Sequence, residues 1–355
     1  MDRVGVATQR AIVLDRPDAR QGVLGMLMRV LGGLLVLLVG MSAAQAASFD
    51  CAKAATPFET AICADPELSA ADDLLAVAYQ TAIGGLSKAA LAEVQKTQRA
   101  WLDYAQKSCT DDAQLPKGPY NEDQVACLKG AYSARMRRLE QSRMWDGLRL
   151  YGIESYGVIP DTTAEPDAFN KVATREAGAP RIDGTGEEAQ AFADFVEANT
   201  PPLADDQDET SDVQRSSNVI NVSASLISLE INDWWYGHGA AHGNYTITYA
   251  HFLRGEKRAL VAEDIFEAEG WQAGVGDLAV AALQRSVDGG IWEDASEAAK
   301  TAAADPTRWS FSSEGLEITY QPYEVTAYAF GAPKVTLSWT ELAPYLKVGA
   351  MELVY

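Results

Sequence analysis

All four cysteines of this 355-residue chain, Cys51, Cys63, Cys109 and Cys127, lie in one stretch of its N-terminal half, and whatever forms there must satisfy their chemistry. An even cysteine count in an exported protein reads as disulfides. Export is what the preceding residues indicate. Arg29 stands before an apolar run from Val30 to Val39, and Ser42-Ala43-Ala44-Gln45-Ala46 supplies a small-x-small cleavage site. The run is shorter than the about 20 apolar residues that span a bilayer, so a cleaved leader fits better than a retained anchor. Residues 1–46 are read as a signal peptide, with translation starting at Met26 or Met28 and a mature N-terminus at Ala47. No cysteine directly follows the cleavage point, so no lipid anchor is expected there. The cysteines form no Cys-x-x-Cys and have no histidine nearby, which disfavours zinc. Of the three pairings four cysteines allow, Cys51–Cys63 and Cys109–Cys127 are favoured because each brackets a short connection. Each bridge would stabilise the fold by roughly 3 kcal/mol.

Charge narrows the partners. The formal net charge is -21, and the first 46 residues carry five Arg against three Asp, so the mature chain stands near -23. Like charge repels phosphate, which argues against nucleic acid, and it disfavours anionic membrane surfaces. It would speed encounter with a basic protein, although solubility alone also accounts for it. The length favours two domains, and a hydrophobic fraction of 47% is enough to build a core in each.

Helical periodicity dominates the cysteine-bearing region. Asp65 and Pro66 look like a cap and a first helical residue, followed by Leu68, Leu75, Tyr79 and Ile83 on one stripe and a stop at Gly84-Gly85. A second stripe from about Ser87 runs through Leu91, Val94, Gln98, Trp101 and Ala105. A third, beginning near Asn121, holds Val125, Leu128, Tyr132, Met136 and Leu139. Three amphipathic helices with short links make a small bundle. The order Cys51, Glu59, Cys63, Asp65-Pro66, Leu68, Asp72, Tyr79, Gln98, Trp101-Leu102, Cys109, Cys127, Arg135 resembles the LprI-type lysozyme-inhibitor domain of bacterial envelope proteins, over roughly residues 48–142. The resemblance implies an exported helical domain, with lysozyme inhibition a property of some members.

From about Leu150 the period changes to two. Val219 to Val222, Ile227 to Ile231, Tyr245 to Phe252, Leu316 to Tyr320 and Val335 to Leu337 read as strands, with helices near Glu187–Asn199, Trp271–Ser286 and Thr340–Leu346. Pro201 to Asp212 is acidic and turn-rich and reads as an exposed loop. The expected fold class is α+β: a small disulfide-stapled helical bundle over residues 47–145, followed by an α+β domain with an antiparallel sheet over 150–350. Ile227-Ser228-Leu229, Tyr236-Gly237 through Ala241-His242-Gly243, Leu260, Asp264-Ile265-Phe266, and then Phe311, Gly315-Leu316, Tyr320, Tyr323-Glu324-Val325, Tyr328, Gly331 and Val335 form a second ordered set. It resembles the extracytoplasmic domain of RsiV-type anti-sigma factors, also found beside some peptidoglycan deacetylases, over roughly residues 150–348. Lysozyme binding by that receptor type is what the resemblance implies; the cytoplasmic sigma-binding region is missing here, so signalling does not carry over.

His238, His242 and His251 fall in one short window, but the first two are separated by Gly239, Ala240 and Ala241 rather than set on a helix, so an imidazole bonded to backbone is expected in place of a metal site. Gly237, Gly239 and Gly243 lack the spacing of a dinucleotide loop and precede a strand. Neither a Gly-x-Ser-x-Gly elbow, a phosphate loop, a His-Glu-x-x-His nor a Ser-x-x-Lys is present. Glu59 and Glu324 occupy resemblance positions, yet a cap or ion pair accounts for either. No catalytic residue and no cofactor is expected. The stretch from Trp234 to Gly243 reads as a loop in which Trp234, Trp235, Tyr236, His238 and His242 contact a partner, against the competing reading that its aromatics pack inward. The sequence is thus read as a non-catalytic periplasmic or secreted binding protein for a basic partner such as lysozyme, with a peptidoglycan-processing enzyme or an envelope stress sensor as alternatives.

Overall fold

A computed structural model of the protein describes residues 47–166, 168–201, 203, 208–287 and 290–354. The expected leader, its start sites and its Ala44-Gln45-Ala46 site lie outside these residues. Among the described residues no helix is long and apolar enough to cross a membrane.

The helical region owes its boundaries to side-chain caps. Thr56 and Glu59 form a capping box at the head of α1 (Pro57–Ala64). Asp65 closes α1 and caps α2 (Pro66–Ile83), accepting from the backbone N–H groups of Glu67 at 3.0 Å and Leu68 at 2.8 Å. Ser87 caps α3 (Lys88–Ser108), and Asn121 with Gln124 forms a second capping box at α4 (Glu122–Leu139). The stripes read from the sequence are α2, α3 and α4. The short α1 escapes that reading because about two turns give no usable period. Leu68, Trp101, Leu128 and Tyr132 meet in a shared core, with the Trp101 and Tyr132 rings edge to face at 5.2 Å. Cys51 is bonded to Cys63 and Cys109 to Cys127, so one bridge ties the entry segment to α1 and the other clamps the α3–α4 hairpin.

Two sheets follow. The larger runs in sequence order through β1 (Met144–Trp145), β2 (Leu148–Pro160), β3 (Val172–Ile182), β4 (Ser211–Val222), β5 (Leu226–Gly237), β6 (Asn244–Leu253) and β7 (Arg258–Ala259). Its pairs are antiparallel except β3–β4, which run parallel. That pair requires a crossover, and α5 (Glu187–Asn199) supplies it. The seven-stranded sheet is therefore mixed, where the sequence suggests antiparallel pairing. The acidic loop also ends sooner than expected: Ser211 and Asp212 already belong to β4 and are buried. Thr174 donates to Asp212 from both its backbone N–H (2.8 Å) and its hydroxyl (2.7 Å), which repays the burial of the carboxylate.

Beyond α6 (Ala262–Ile265), α7 (Trp271–Ser286) and α8 (Ser296–Ala303) pack against a three-stranded antiparallel sheet of β8 (Trp309–Phe311), β9 (Gly315–Thr319) and β10 (Lys334–Ser338). α9 (Trp339–Leu342) is shorter than the helix expected to Leu346, and α10 (Ala350–Val354) follows it. Phe266, Trp271 and Trp309 interlock at the centre of this core. His251 on β6 is buried beneath it, with Nε2 donating to the Trp309 carbonyl and Nδ1 accepting from the Ser228 hydroxyl, each at 2.9 Å.

Helices and large sheet are joined by polar contacts. Arg135 of α4 donates to Glu154 of β2 at 2.7 Å and to Gln98 of α3 at 2.9 Å, with the two charged side chains only 1% and 6% exposed. Tyr104 donates to Glu176 of β3 at 2.8 Å, and Arg149 reaches back to the Ala82 carbonyl at 2.6 Å.

Arg135→Ala should lower unfolding free energy by about 3–5 kcal/mol, because it strands Glu154 in a dry site, whereas Arg135→Met combined with Glu154→Leu should recover most of the loss. Urea denaturation of the three proteins measures both. Burial pushes the His251 imidazole down to about 4 from its ordinary 6.5, the bond to Trp309 only partly opposing it. Its neutral form is thus the folded form, and stability should fall as pH drops from 6.5 towards 4, by about 3 kcal/mol in full. His251→Gln should flatten that part of the pH–stability curve.

Candidate binding surface

The residues singled out between Trp234 and Gly243 are not one loop. Trp234 to Gly237 complete β5, and only residues 238–243 form the turn into β6. In a strand, alternate side chains take opposite faces. Trp234 and Tyr236 therefore share one face, their rings stacked at 6.2 Å, while Trp235 points to the other. The two tryptophans are 37% and 49% exposed and belong to no buried cluster, so the inward-packed reading does not hold for them. Of the three glycines, only Gly239 has a positive φ, +80°. Gly243 is needed for a different reason: a Cβ there would lie 2.8 Å from Trp234 Nε1.

His238 and His242 part company. His242 is exposed, stacks on Tyr328 at 4.2 Å and bonds the Gly243 carbonyl through Nδ1 at 2.8 Å. Tyr328 donates to the same carbonyl at 2.7 Å and meets Tyr245 edge to face. Tyr323, 51% exposed, lies against Tyr328, and Phe330 is 50% exposed nearby in sequence. The segment between β9 and β10 thus extends the aromatic surface begun by the hairpin, which the sequence reading did not anticipate. Tyr323, Tyr328 and Gly331 stood in the ordered set of resemblance residues, and that was the available signal.

His238 turns inward. Its side chain is 8% exposed, and Nδ1 donates to Asp161 at 2.6 Å. Nε2 lies 3.6 Å from Asp212, too far for a hydrogen bond, and has no other partner. Burial opposes the charge of Asp161, yet bonds from His238 and Thr163 outweigh it and hold that carboxyl below the usual range. The cluster borders a cavity of about 460 Å³ that Tyr236 and Thr210 also line. Among the described residues no group of three His, Cys, Asp or Glu side chains is placed to hold a metal ion. Glu59 is spent on its capping box, and Glu324 takes both nitrogens of Arg308 at 3.0 Å each. Both carboxylates are structural.

Residues 51–144 match the family described as lysozyme inhibitor LprI, and residues 263–340 match a family described as a protein of unknown function, DUF3298. The chain fuses an LprI domain to a DUF3298 domain. The LprI match spans the helical region with both disulfides, and the DUF3298 match spans α7, α8 and the three-stranded sheet. The second lies inside residues 150–348, the longer stretch that resembles the RsiV-type domain. A search of curated proteins gives no match. Among solved structures, a DUF3298 family protein from Pseudomonas aeruginosa PAO1 is similar at 15% identity and TM-score 0.42, covering 59% of this chain and 98% of its own. A DUF3298 family member from Bacteroides fragilis NCTC 9343 is similar at 17% identity and TM-score 0.43, covering 57% and 94%.

His238→Ala should lower the melting temperature, because it leaves the Asp161 Oδ2 buried without its donor, although Thr163 still holds Oδ1, at a cost of about 1–3 kcal/mol. Trp235→Ala, which removes an exposed ring, should leave the melting temperature nearly unchanged. Calorimetry of both variants checks the contrast.

Proposed function

We propose that this LprI–DUF3298 protein is an exported, non-catalytic binding protein that inhibits lysozyme by covering its cleft. The observation that carries the reading is the LprI match over residues 51–144. Two disulfides suit the oxidising compartment outside the cytoplasmic membrane, and cleavage after Ala46 would release the chain into the periplasm or the medium. A mature charge near -23 favours encounter with a basic partner.

The contact is assigned to the β5–β6 hairpin and the aromatic segment beside it. Exposed apolar side chains on the helices, such as Leu74 and Val77, are aliphatic, whereas the hairpin exposes the rings of Trp234 and, on the opposite face of the strand, Trp235, and the neighbouring segment exposes Tyr323. Trp and Tyr are the side chains enriched at interface hot spots. His242 adds a polar contact at the hairpin tip; His238 supports it from beneath, so its role in binding is to hold the hairpin in place.

In a turbidity assay on bacterial cell walls, the mature protein should slow clearing by added lysozyme, and rising salt should weaken the effect. Trp234→Ala with Trp235→Ala should weaken binding by more than about 1 kcal/mol while the protein stays folded. Clearing of the walls by the protein alone would instead establish a peptidoglycan-processing enzyme.

A further inference from the structure

Between the last turns of α4 and strand β4 lies a cavity of about 410 Å³. Arg137 and Arg138 stand on its helical wall, with Glu140 beside them, and Gln214, Ser216 and Asn218 line its sheet side. Five other arginines of this acidic protein are ion-paired: Arg135 with Glu154, Arg215 with Asp233, Arg254 with Glu188, Arg258 with Asp264 and Arg308 with Glu324. The guanidinium groups of Arg137 and Arg138 make no hydrogen bond or ion pair among the described residues. Arg138 lies over the sheet, since a Cβ on Gly178 would come within 3.6 Å of its Cζ, and Gly178 pairs with Ser216. Two unpaired guanidiniums lining one cavity with the Ser216 hydroxyl and the Asn218 amide can seat a carboxylate, while the Gln214 amide donates to Glu176 at 3.4 Å.

The sheet side of this cavity continues into aromatic surface. Gln214 is the cross-strand partner of Trp234, and Trp234 is the partner of Tyr245. Directly paired residues of antiparallel strands share a face. Neighbouring strands are about 5 Å apart, so the step from Gly178, beneath Arg138, across β4 to β5 is on the order of 10 Å. A ligand laid along this path meets guanidinium first, then amide, then ring face. Sugars match that order, since their C–H faces are apolar and their hydroxyl and acetamido groups project from the ring edge. A bare acidic peptide would leave the rings unused, and a neutral sugar would leave the arginines unused.

We propose that the groove from Arg137 and Arg138 across Gln214 to Trp234 and Tyr245 binds an acidic saccharide, its carboxylate on the two arginines and its ring on the aromatic pair. This site does not depend on lysozyme binding, and its test contains no lysozyme.

Isothermal titration of the mature protein with three probes decides it: peptide-free oligosaccharides carrying muramic acid, chitooligosaccharides of the same length, and a polyglutamate peptide. The acidic saccharide should bind, the neutral one about tenfold or more weakly, and the peptide not measurably. Arg137→Gln with Arg138→Gln should erase the preference for the acidic saccharide, and Trp234→Ala should weaken both saccharides. Arg137 is exposed, so Arg137→Gln alone provides a folded control that should lose part of the preference. Equal affinity for acidic and neutral saccharides, absence of binding, or polyglutamate binding as tightly as the saccharide would overturn the proposal.

Discussion

Arg135 reaches from α4 into the sheet and is almost wholly withdrawn from water, so its charge requires compensation from both structural regions at once. Glu154 of β2 supplies the counter-charge, Gln98 of α3 accepts from Nε, and the Tyr156 hydroxyl lies 3.4 Å from the guanidinium. A buried pair of this kind contributes little net stability, because desolvation offsets most of the attraction. Its effect is on arrangement: either partner left alone is strongly unfavourable, so helices and sheet are held in the one register that pairs them. Tyr104 with Glu176 and Arg149 with Ala82 extend the same constraint along the boundary.

That arrangement accounts for what the sequence could and could not reveal. Helices α2, α3 and α4 show clean apolar stripes because one face of each meets a shared core. Strands β2 and β3 carry Glu154, Tyr156 and Glu176 where a core strand would carry aliphatics, since the face turned to α3 and α4 is polar and satisfied by ion pairs and hydrogen bonds. Period-two hydrophobicity is lost there, and both strands were invisible. The parallel β3–β4 pair was hidden for the same reason: without β3, α5 looks like an isolated helix rather than a crossover.

The candidate surface was half legible. Its tryptophans and glycines stood out, but the turn is shorter than it looked, and His238 belongs to a buried Asp161–His238 contact rather than to the surface. Nothing in a linear reading links Asp161, Asp212 and His238, which come together only through the sheet. Tyr323 and Tyr328 likewise reach the hairpin region by a long excursion through the C-terminal core, and Tyr328 is fixed there by its bond to Gly243.

The central proposal is that the fused scaffold presents this aromatic surface, rather than its helices, to lysozyme. Amide hydrogen exchange of the mature protein with and without saturating lysozyme tests it directly. Slowed exchange at residues 234–245 and 323–331, with α1 to α4 unchanged, is the predicted result; protection centred on α2 around Leu74 and Val77, or no protection anywhere, would contradict it.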